Sequence, residues 1–540
     1  MNKNSGIFQK RETKTGRAQD EIRTVRLEGK QKRLAYYLTV FFLSALVLPL
    51  SHPLAIAQAP SNEELYNLLL EAQRQIAQQQ IEIERLKSQV SATVTEEPVT
   101  SFDDYPESTQ VVGINSNYSF KILDHAENTN NKQGLQLEAI QDGELNNRIT
   151  LGGQITALAN YQKANESNLF GWLMRHPTSN NQIGTTVSEA VVHSANVNFT
   201  GLLSESLTSY VEMLYNPEQN FGANSSITGL PRNNVNVRRA WVLWGNLKHS
   251  PLYGSIGKMD IPFGWNDTVS PFTNSTNWHS FAGLAYGAMI GYMNDRYHFR
   301  AMAVQGGAQF RNANTPVEDT NVPSRLNNFA IDTNFNILRN SDENWNVGAS
   351  YQYGTAYCQN YIDDPSTHVI ANGVTLNPVP QGVRHFEPCT DINDAFAVYT
   401  SYRNSKWLLA AEYAETLEVW PGTANPYIPE FQAEENATFT VGARYKAELG
   451  LPQSVDLSLE FSRFKAGESG SPWEKQDQLV LGVSYFPRPH VNIFSELIRA
   501  DGWVPLNFLS GGNPGSVVGT SWSSQSSHTN IITFGAQSGF

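Results

Sequence analysis

The residues of this chain best placed to act on a solute are charged side chains that alternate with apolar ones in short, strand-like stretches. Glu212, Arg238, His298, Arg300, Asp332, Glu412, Arg444, Lys446, Asp456 and Glu460 all sit in such stretches. Successive strand side chains face opposite ways, so one sheet face would carry these charges towards water while the other stays apolar. Most are expected to pair across neighbouring strands, and the remainder to meet a passing solute. Arg239 is the misfit, because Val237 and Trp241 at its parity read as apolar-facing. Either a bulge interrupts that strand or the register there is wrong.

A second set lies between Ile261 and Phe281. Phe263, Trp265, Asp267, Phe272, Trp278 and His279 give ring faces for stacking on flat solutes, with one carboxylate. The same aromatics would equally suit an interfacial girdle, where Trp and Tyr collect. The constriction and solute-contacting residues expected from both sets are Trp265, Asp267, Phe272, Trp278, Arg300, Glu412, Arg444, Asp456 and Glu460.

Nucleophilic catalysis is not expected. The eye-catching pairs are His193-Ser194 and His279-Ser280, and adjacent strand residues point to opposite faces, which would keep such a base from its nucleophile. No metal or cofactor is expected. Cys358 and Cys389 share one long predicted loop. A disulfide is expected between them in an oxidising compartment, with metal binding or free thiols as the alternatives. Closing that loop would restrict the unfolded chain by roughly 3–4 kcal/mol.

The elements that position these residues are short alternating strands. From Ser454 to Phe464, Val455, Leu457, Leu459 and Phe461 point one way and Asp456, Ser458, Glu460 and Ser462 the other. Phe439, Val441, Ala443 and Tyr445 repeat the division, as do Trp345, Val347, Ala349 and Tyr351. About sixteen such stretches follow residue 146, joined alternately by brief turns such as Asn294-Asp295 and Pro487-Arg488-Pro489 and by long loops such as 217–234, 307–327, 356–391 and 501–528. This predicts an all-β transmembrane antiparallel barrel over 146–540, with both ends on the short-turn rim, which is periplasmic in bacterial barrels.

Upstream segments differ in kind. The apolar run Leu34–Leu50 follows Lys30, Lys32 and Arg33 and precedes Ala55-Ile56-Ala57, so 1–57 reads as an extension plus an export signal. From Leu65 through Leu69, Ala72, Ile76, Gln79, Ile83, Leu86 and Val90 the spacing alternates four and three, which predicts a periplasmic α-helical coiled coil over 61–95 and a possible homo-oligomer through it. The alternative is an amphipathic helix folded onto its own chain, since so few heptads are marginal alone. The region 99–145 reads as a small periplasmic or lumenal linker with strand-like pieces at 111–114, 118–123 and 135–140.

Mean hydropathy is −0.38, and that one apolar run excepted, helical membrane spans are excluded. Residues 1–33 hold 10 of the 38 Lys and Arg and 4 of the 51 Asp and Glu, leaving 28 basic against 47 acidic side chains, a net charge of −19. Nucleic-acid binding is disfavoured. Acids lining a pore would favour cations or neutral solutes, and acids on outer loops would carry no such meaning. At the end of the chain, Ile532, Phe534, Ala536 and the terminal Phe540 share one face, an ending that suits clients of the outer-membrane barrel-assembly machinery.

The chain resembles the siderophore porins of the legionella legiobactin-receptor type. The resemblance is carried by Ile149-Thr150-Leu151-Gly152-Gly153 at the barrel start and by Gly245-Asn246-Leu247, Ser250-Pro251-Leu252-Tyr253, Ile256-Gly257-Lys258-Met259-Asp260-Ile261-Pro262-Phe263-Gly264 and Val269-Ser270-Pro271. It implies a bacterial outer-membrane channel that admits a ferric siderophore without an energised receptor. Those receptors need about twenty-two strands and a plug, which 540 residues at this spacing do not hold. A general or ion-selective diffusion porin is the alternative, since phosphate-selective porins share the coiled coil and sixteen-strand plan. A tether or adhesin remains compatible with a channel.

Overall fold

Each alternating stretch forms a strand that pairs antiparallel with the next. The computed structural model describes residues 111–123, 130–172, 184–215, 235–305, 326–340, 342–355, 357, 392–420, 423, 428–504 and 523–540. The expected export signal, the coiled coil, Cys358 and Cys389 lie outside the described residues.

The barrel strands are β2 (Ile149–Ala164), β3 (Thr186–Leu202), β4 (Leu207–Tyr215), β5 (Val235–Gly245), β6 (Leu252–Asp260), β7 (Leu284–Met293), β8 (Tyr297–Gln305), β9 (Leu326–Arg339), β10 (Glu343–Tyr353), β11 (Ala395–Asn404), β12 (Trp407–Thr416), β13 (Ala437–Ala447), β14 (Val455–Lys465), β15 (Lys475–Arg488), β16 (Val491–Trp503) and β17 (Ser524–Gly539). The last pairs antiparallel with the first, Ala536 opposite Ala157, so the sixteen-stranded sheet closes on itself. Closure removes both sheet edges.

The faces divide as the alternation requires. On β14, Leu457 and Leu459 are exposed on the outer surface and Ser458, Glu460 and Ser462 are buried within. Val242, Ile256, Ile290, Val398, Val441 and Ile493 belong to the same exposed apolar band. Ring pairs mark its two borders. Tyr297 with Phe335 and Trp407 with Tyr445 lie near the short turns, and Phe329 with Tyr353 and Phe396 with Tyr413 near the long loops.

The β4–β5 register shows why Arg239 looked misplaced. Glu212 pairs with Arg239 but Met213 with Val237, so Arg238 is the extra residue of a bulge. Beyond it the facing inverts: Arg239, Trp241 and Leu243 are buried inside while Val242 and Trp244 are exposed outside. Trp241 is therefore lumenal, contrary to the reading from parity.

A second bulge corrects the argument about His193-Ser194. Thr156 pairs with Ser194 and Ala157 with Val192, leaving His193 as the extra residue on β3. The bulge turns adjacent side chains to one side, and His193 Nδ1 lies 3.3 Å from Ser194 Oγ. The imidazole also packs edge-on against Phe272, with ring centroids 4.8 Å apart.

Before the barrel, β1 (Val112–Ile114) pairs parallel with the start of β2. Two helices follow, α1 (Ser116–Leu123) and α2 (Lys132–Gln141). The strand-like readings of 118–123 and 135–140 are thus corrected to helix. The physical reason lies in what α2 buries: Lys132, Gln133, Gly134, Gln136, Leu137 and Ala139. Its buried face mixes Lys132, Gln133 and Gln136 with Leu137 and Ala139, so it carries no apolar stripe of helical period.

Candidate functional site

The site is the barrel lumen, narrowed by a loop folded in from one rim and by the α1 and α2 helices. Residues 261–283 connect β6 to β7, the third long connection, and are called L3 here. L3 leaves the wall through Gly264, at φ +69°, where the loop comes so close that a Cβ would meet Glu412 Oε1. It ends in the short helix α3 (Thr276–Phe281), capped by the Ser275 hydroxyl, which accepts from Trp278 N at 3.2 Å.

Five consecutive strands meet L3 along one row of the wall, in the order Glu, Gly, Glu, Gly, Glu. Glu412 on β12 accepts from Trp265 N at 2.7 Å and Asn266 N at 3.0 Å. Gly442 on β13 leaves room for the Val269 side chain. Glu460 on β14 accepts from Thr268 Oγ1 at 2.7 Å and Val269 N at 2.9 Å. Gly482 on β15 leaves room for the Pro271 ring. Glu496 on β16 accepts from Phe272 N at 2.8 Å, Thr273 N at 2.9 Å and Thr273 Oγ1 at 2.5 Å. Gly442 pairs directly with Glu460, and Gly482 with Glu496. Loop amides with no ladder partner thus find buried carboxyl acceptors.

The glycines in this row are as specific as the acids. A valine at 482 would occupy the space of the Pro271 ring, and overpacking of this kind costs about 1–3 kcal/mol. Gly482→Val is expected to unseat L3 while leaving strand pairing intact. Limited chymotrypsin digestion of the folded protein should then cut at Phe272 or Trp278, which are buried in the wild type. Cleavage no faster than wild type would refute the seating role of Gly482.

The predicted constriction residues separate into four groups. Trp265, Asp267 and Arg300 line a lumenal chamber of about 400 Å3. Phe272 and Trp278 are buried: Phe272 stacks on Phe494 at 5.3 Å, and Trp278 sits edge-on to His279 at 5.0 Å. Glu412 and Glu460 hold L3. Arg444 and Asp456 are half-buried on the wall and are not among the described residues that line the chamber.

Glu496 was not among the expected residues. Phe494 and Ile498 share its face, and two large apolar neighbours at its parity make that side look lipid-facing. Both are buried inside, packed against Phe272 and Trp172. The signal that marks it as lumenal is Ile493 and Leu497 at the opposite, outward parity, with Asn492 and Ala500 at its own.

Two buried charge clusters brace the wall. Arg239 binds Asp260 through two bonds of 2.7 and 2.6 Å and reaches Glu212 at 3.1 Å. Arg300 binds Asp332 at 2.7 Å, and Asp332 also accepts from Ser350 Oγ at 2.7 Å and Tyr399 OH at 2.9 Å.

The helices α1 and α2 dock on this wall by specific bonds. Tyr118 OH meets Thr200 Oγ1 at 3.0 Å, Gln136 donates to Thr208 Oγ1 at 2.8 Å, and the Trp241 indole donates to Gln136 Oε1 at 2.9 Å. Asn130, at the entry to α2, ties the helices to L3: its amide donates to the carbonyls of Phe263 and Gly264 at 3.1 and 2.8 Å, and its own carbonyl accepts from Arg300. Lys132 donates to the Ile122 carbonyl. Burial lowers the Lys132 ammonium to about 8, Arg239 pushing the same way and Glu212 and Asp260 opposing.

These features define a class, a closed antiparallel sixteen-stranded barrel with an inward-folded loop and a lumenal helical insert. No family model matches the sequence, and no curated protein matches it. Among solved structures the chain is similar to the outer membrane channel DcaP of Acinetobacter baumannii, at 12% identity and a TM-score of 0.43 over 73% of this chain and 97% of that one. It is also similar to an anion-selective porin from Comamonas acidovorans, at 10% identity and a TM-score of 0.41 over 73% and 99%. A third is OprB of Pseudomonas putida in its high pH structure, at 8% identity and a TM-score of 0.42 over 72% and 94%.

Proposed function

We propose that the protein is an outer-membrane diffusion channel for a small solute. The observation that carries this reading is the barrel itself: a closed wall, apolar outside and polar inside, with L3 held across the lumen by Glu412, Glu460 and Glu496. Barrels of this size enclose water, and what narrows them sets selectivity. The test is conductance of the purified protein in planar bilayers. Discrete ion-conducting steps are expected, and a folded protein that inserts yet passes no current would refute the channel.

The α1 and α2 helices are the second narrowing element. Deleting residues 116–141 is expected to raise single-channel conductance severalfold, because the helices fill lumen that water would otherwise occupy. Unchanged conductance would mean that ions do not pass where the helices lie.

A ferric siderophore as cargo is supported by the family resemblance, whose motif from Gly245 to Gly264 covers the β5–β6 turn, β6 and the start of L3. A chamber of about 400 Å3 suits a solute of small-metabolite size. Uptake of labelled ferric siderophore by iron-starved cells, with and without the gene, tests this. Equal uptake leaves a general or ion-selective pore.

A further inference from the structure

The outer face of the barrel is not evenly convex. Between β10 and β15 it opens into a groove of about 900 Å3, with sides formed by Leu338, Leu409, Val441, Leu459, Phe461 and Leu479. The middle of the groove is low because Thr400, Ala411 and Ala443 are short. Thr400 and Ala411 are register partners, and Ala443 lies opposite Leu409 on the next strand. An apolar hollow that faces hydrocarbon fills with hydrocarbon, so the hollow by itself selects no particular occupant.

Selection comes from its polar end. At the short-turn rim the groove is closed by Trp345 and Tyr402, which are register partners, and by Glu343, which shares the outward parity of Trp345. Glu343 Oε1 accepts from Tyr402 OH at 2.9 Å, and the Trp345 indole donates to Thr400 Oγ1 at 3.0 Å, so both rings are held in place. Among the described residues no Lys, Arg or His pairs with Glu343. At the long-loop rim the outward carboxylates Asp477 and Asp501 are each bound by an arginine, Arg463 at 2.6 Å and Arg499 at 2.7 Å. Trp and Tyr mark the headgroup level of a bilayer, so Glu343 stands among lipid headgroups. Their phosphates repel a carboxylate there, and a headgroup ammonium attracts it.

We propose, resting on the membrane-barrel reading, that this groove is a binding site for one phospholipid with a primary ammonium headgroup. An acyl chain lies over Ala411 and Ala443 between the larger apolar side chains. The ammonium donates to the Glu343 carboxylate, which has acceptor capacity beyond its bond with Tyr402. Glu343 thus finds in the lipid the cation that Asp477 and Asp501 find in the protein.

The test titrates three lipids into the full-length protein in detergent and counts retained lipid by native mass spectrometry. Dioleoyl phosphatidylethanolamine carries both recognised parts. Dioleoyl phosphatidylglycerol has the same chains without the ammonium, and dihexanoyl phosphatidylethanolamine has the same headgroup with chains too short to fill the groove. One molecule of the first is expected to be retained at concentrations about tenfold below those needed with either comparison lipid. Glu343→Gln keeps an acceptor for Tyr402 and removes the charge, and should bind the two dioleoyl lipids alike. Ala411→Phe fills the groove from an outward position and should abolish the advantage of the long chains, with the heat stability of the barrel unchanged. Equal retention of the two dioleoyl lipids by the wild type, a headgroup preference unchanged in Glu343→Gln, or an unchanged chain-length preference in Ala411→Phe overturns the site. A wild-type oligomer that retains no lipid and becomes monomeric in Ala411→Phe also overturns it, assigning the groove to a second copy of the chain. The groove lies outside the wall, so the channel reading stands or falls separately, by conductance.

Discussion

Glu460→Ala combined with Glu496→Ala is expected to free L3 from the barrel wall. Together the two carboxyl groups accept five hydrogen bonds from Thr268, Val269, Phe272 and Thr273. Each buried donor left unpaired costs about 1–3 kcal/mol, and lumenal water offsets part of that. The loss falls on the loop, because no ladder bond involves these side chains. Single-channel records should show a larger and noisier conductance, and L3 should become a protease target, while the heat stability of the barrel changes little. Glu→Gln at both positions keeps one acceptor oxygen on each side chain and should fall between the wild type and the alanine pair. Wild-type conductance and protease resistance in the alanine pair would show that L3 is held by something else.

Arg239→Met should produce the largest loss of barrel stability among single substitutions. Arg239 is 3% exposed and Glu212 1%, and Asp260 shares the same guanidinium. Removing the cation strands two carboxylates in a confined space, a change that costs about 3–5 kcal/mol where a buried pair is broken. Lys132 of α2 sits in the same electrostatic neighbourhood, so the helices should loosen as well. Heat denaturation in detergent micelles, followed by loss of β-sheet circular dichroism, measures the effect. Adding Glu212→Gln and Asp260→Asn to Arg239→Met should recover most of it. A stability loss that persists in the triple variant would trace the defect to packing instead of charge.

The barrel was legible because its signal is periodic and repeated. Each of the sixteen expected strands has a counterpart displaced by only a few residues, and the short junctions, such as 294–296 and 340–342, fall on one rim. Lumenal facing was legible for Glu412 and Glu460 because their parity neighbours are small or polar. It was missed at Glu496 because a wall that receives L3 carries Phe494 and Ile498 on its inner face. Bulges defeat parity outright: the extra residues Arg238 and His193 are invisible to a period of two, and each inverts the facing beyond it. The α1 and α2 helices escaped for another reason. A helix lying in a polar lumen buries Gln133 and Gln136 beside Leu137, so it shows none of the apolar stripe by which helices are recognised. The aromatic set of L3 was legible as a set, but its burial depends on strands more than a hundred residues away.

The most direct test of the account is whether the first and last barrel strands are neighbours in the assembled protein. Ala157 on β2 and Ala536 on β17 are register partners on the outer face. In a chain with Cys358 and Cys389 replaced by serine, Ala157→Cys with Ala536→Cys should oxidise to a bond within one chain, whereas Ala157→Cys with Gln537→Cys, whose side chains face opposite sides, should not. Cross-linking of both pairs alike, of neither, or only between chains would contradict a cylinder closed by these two strands.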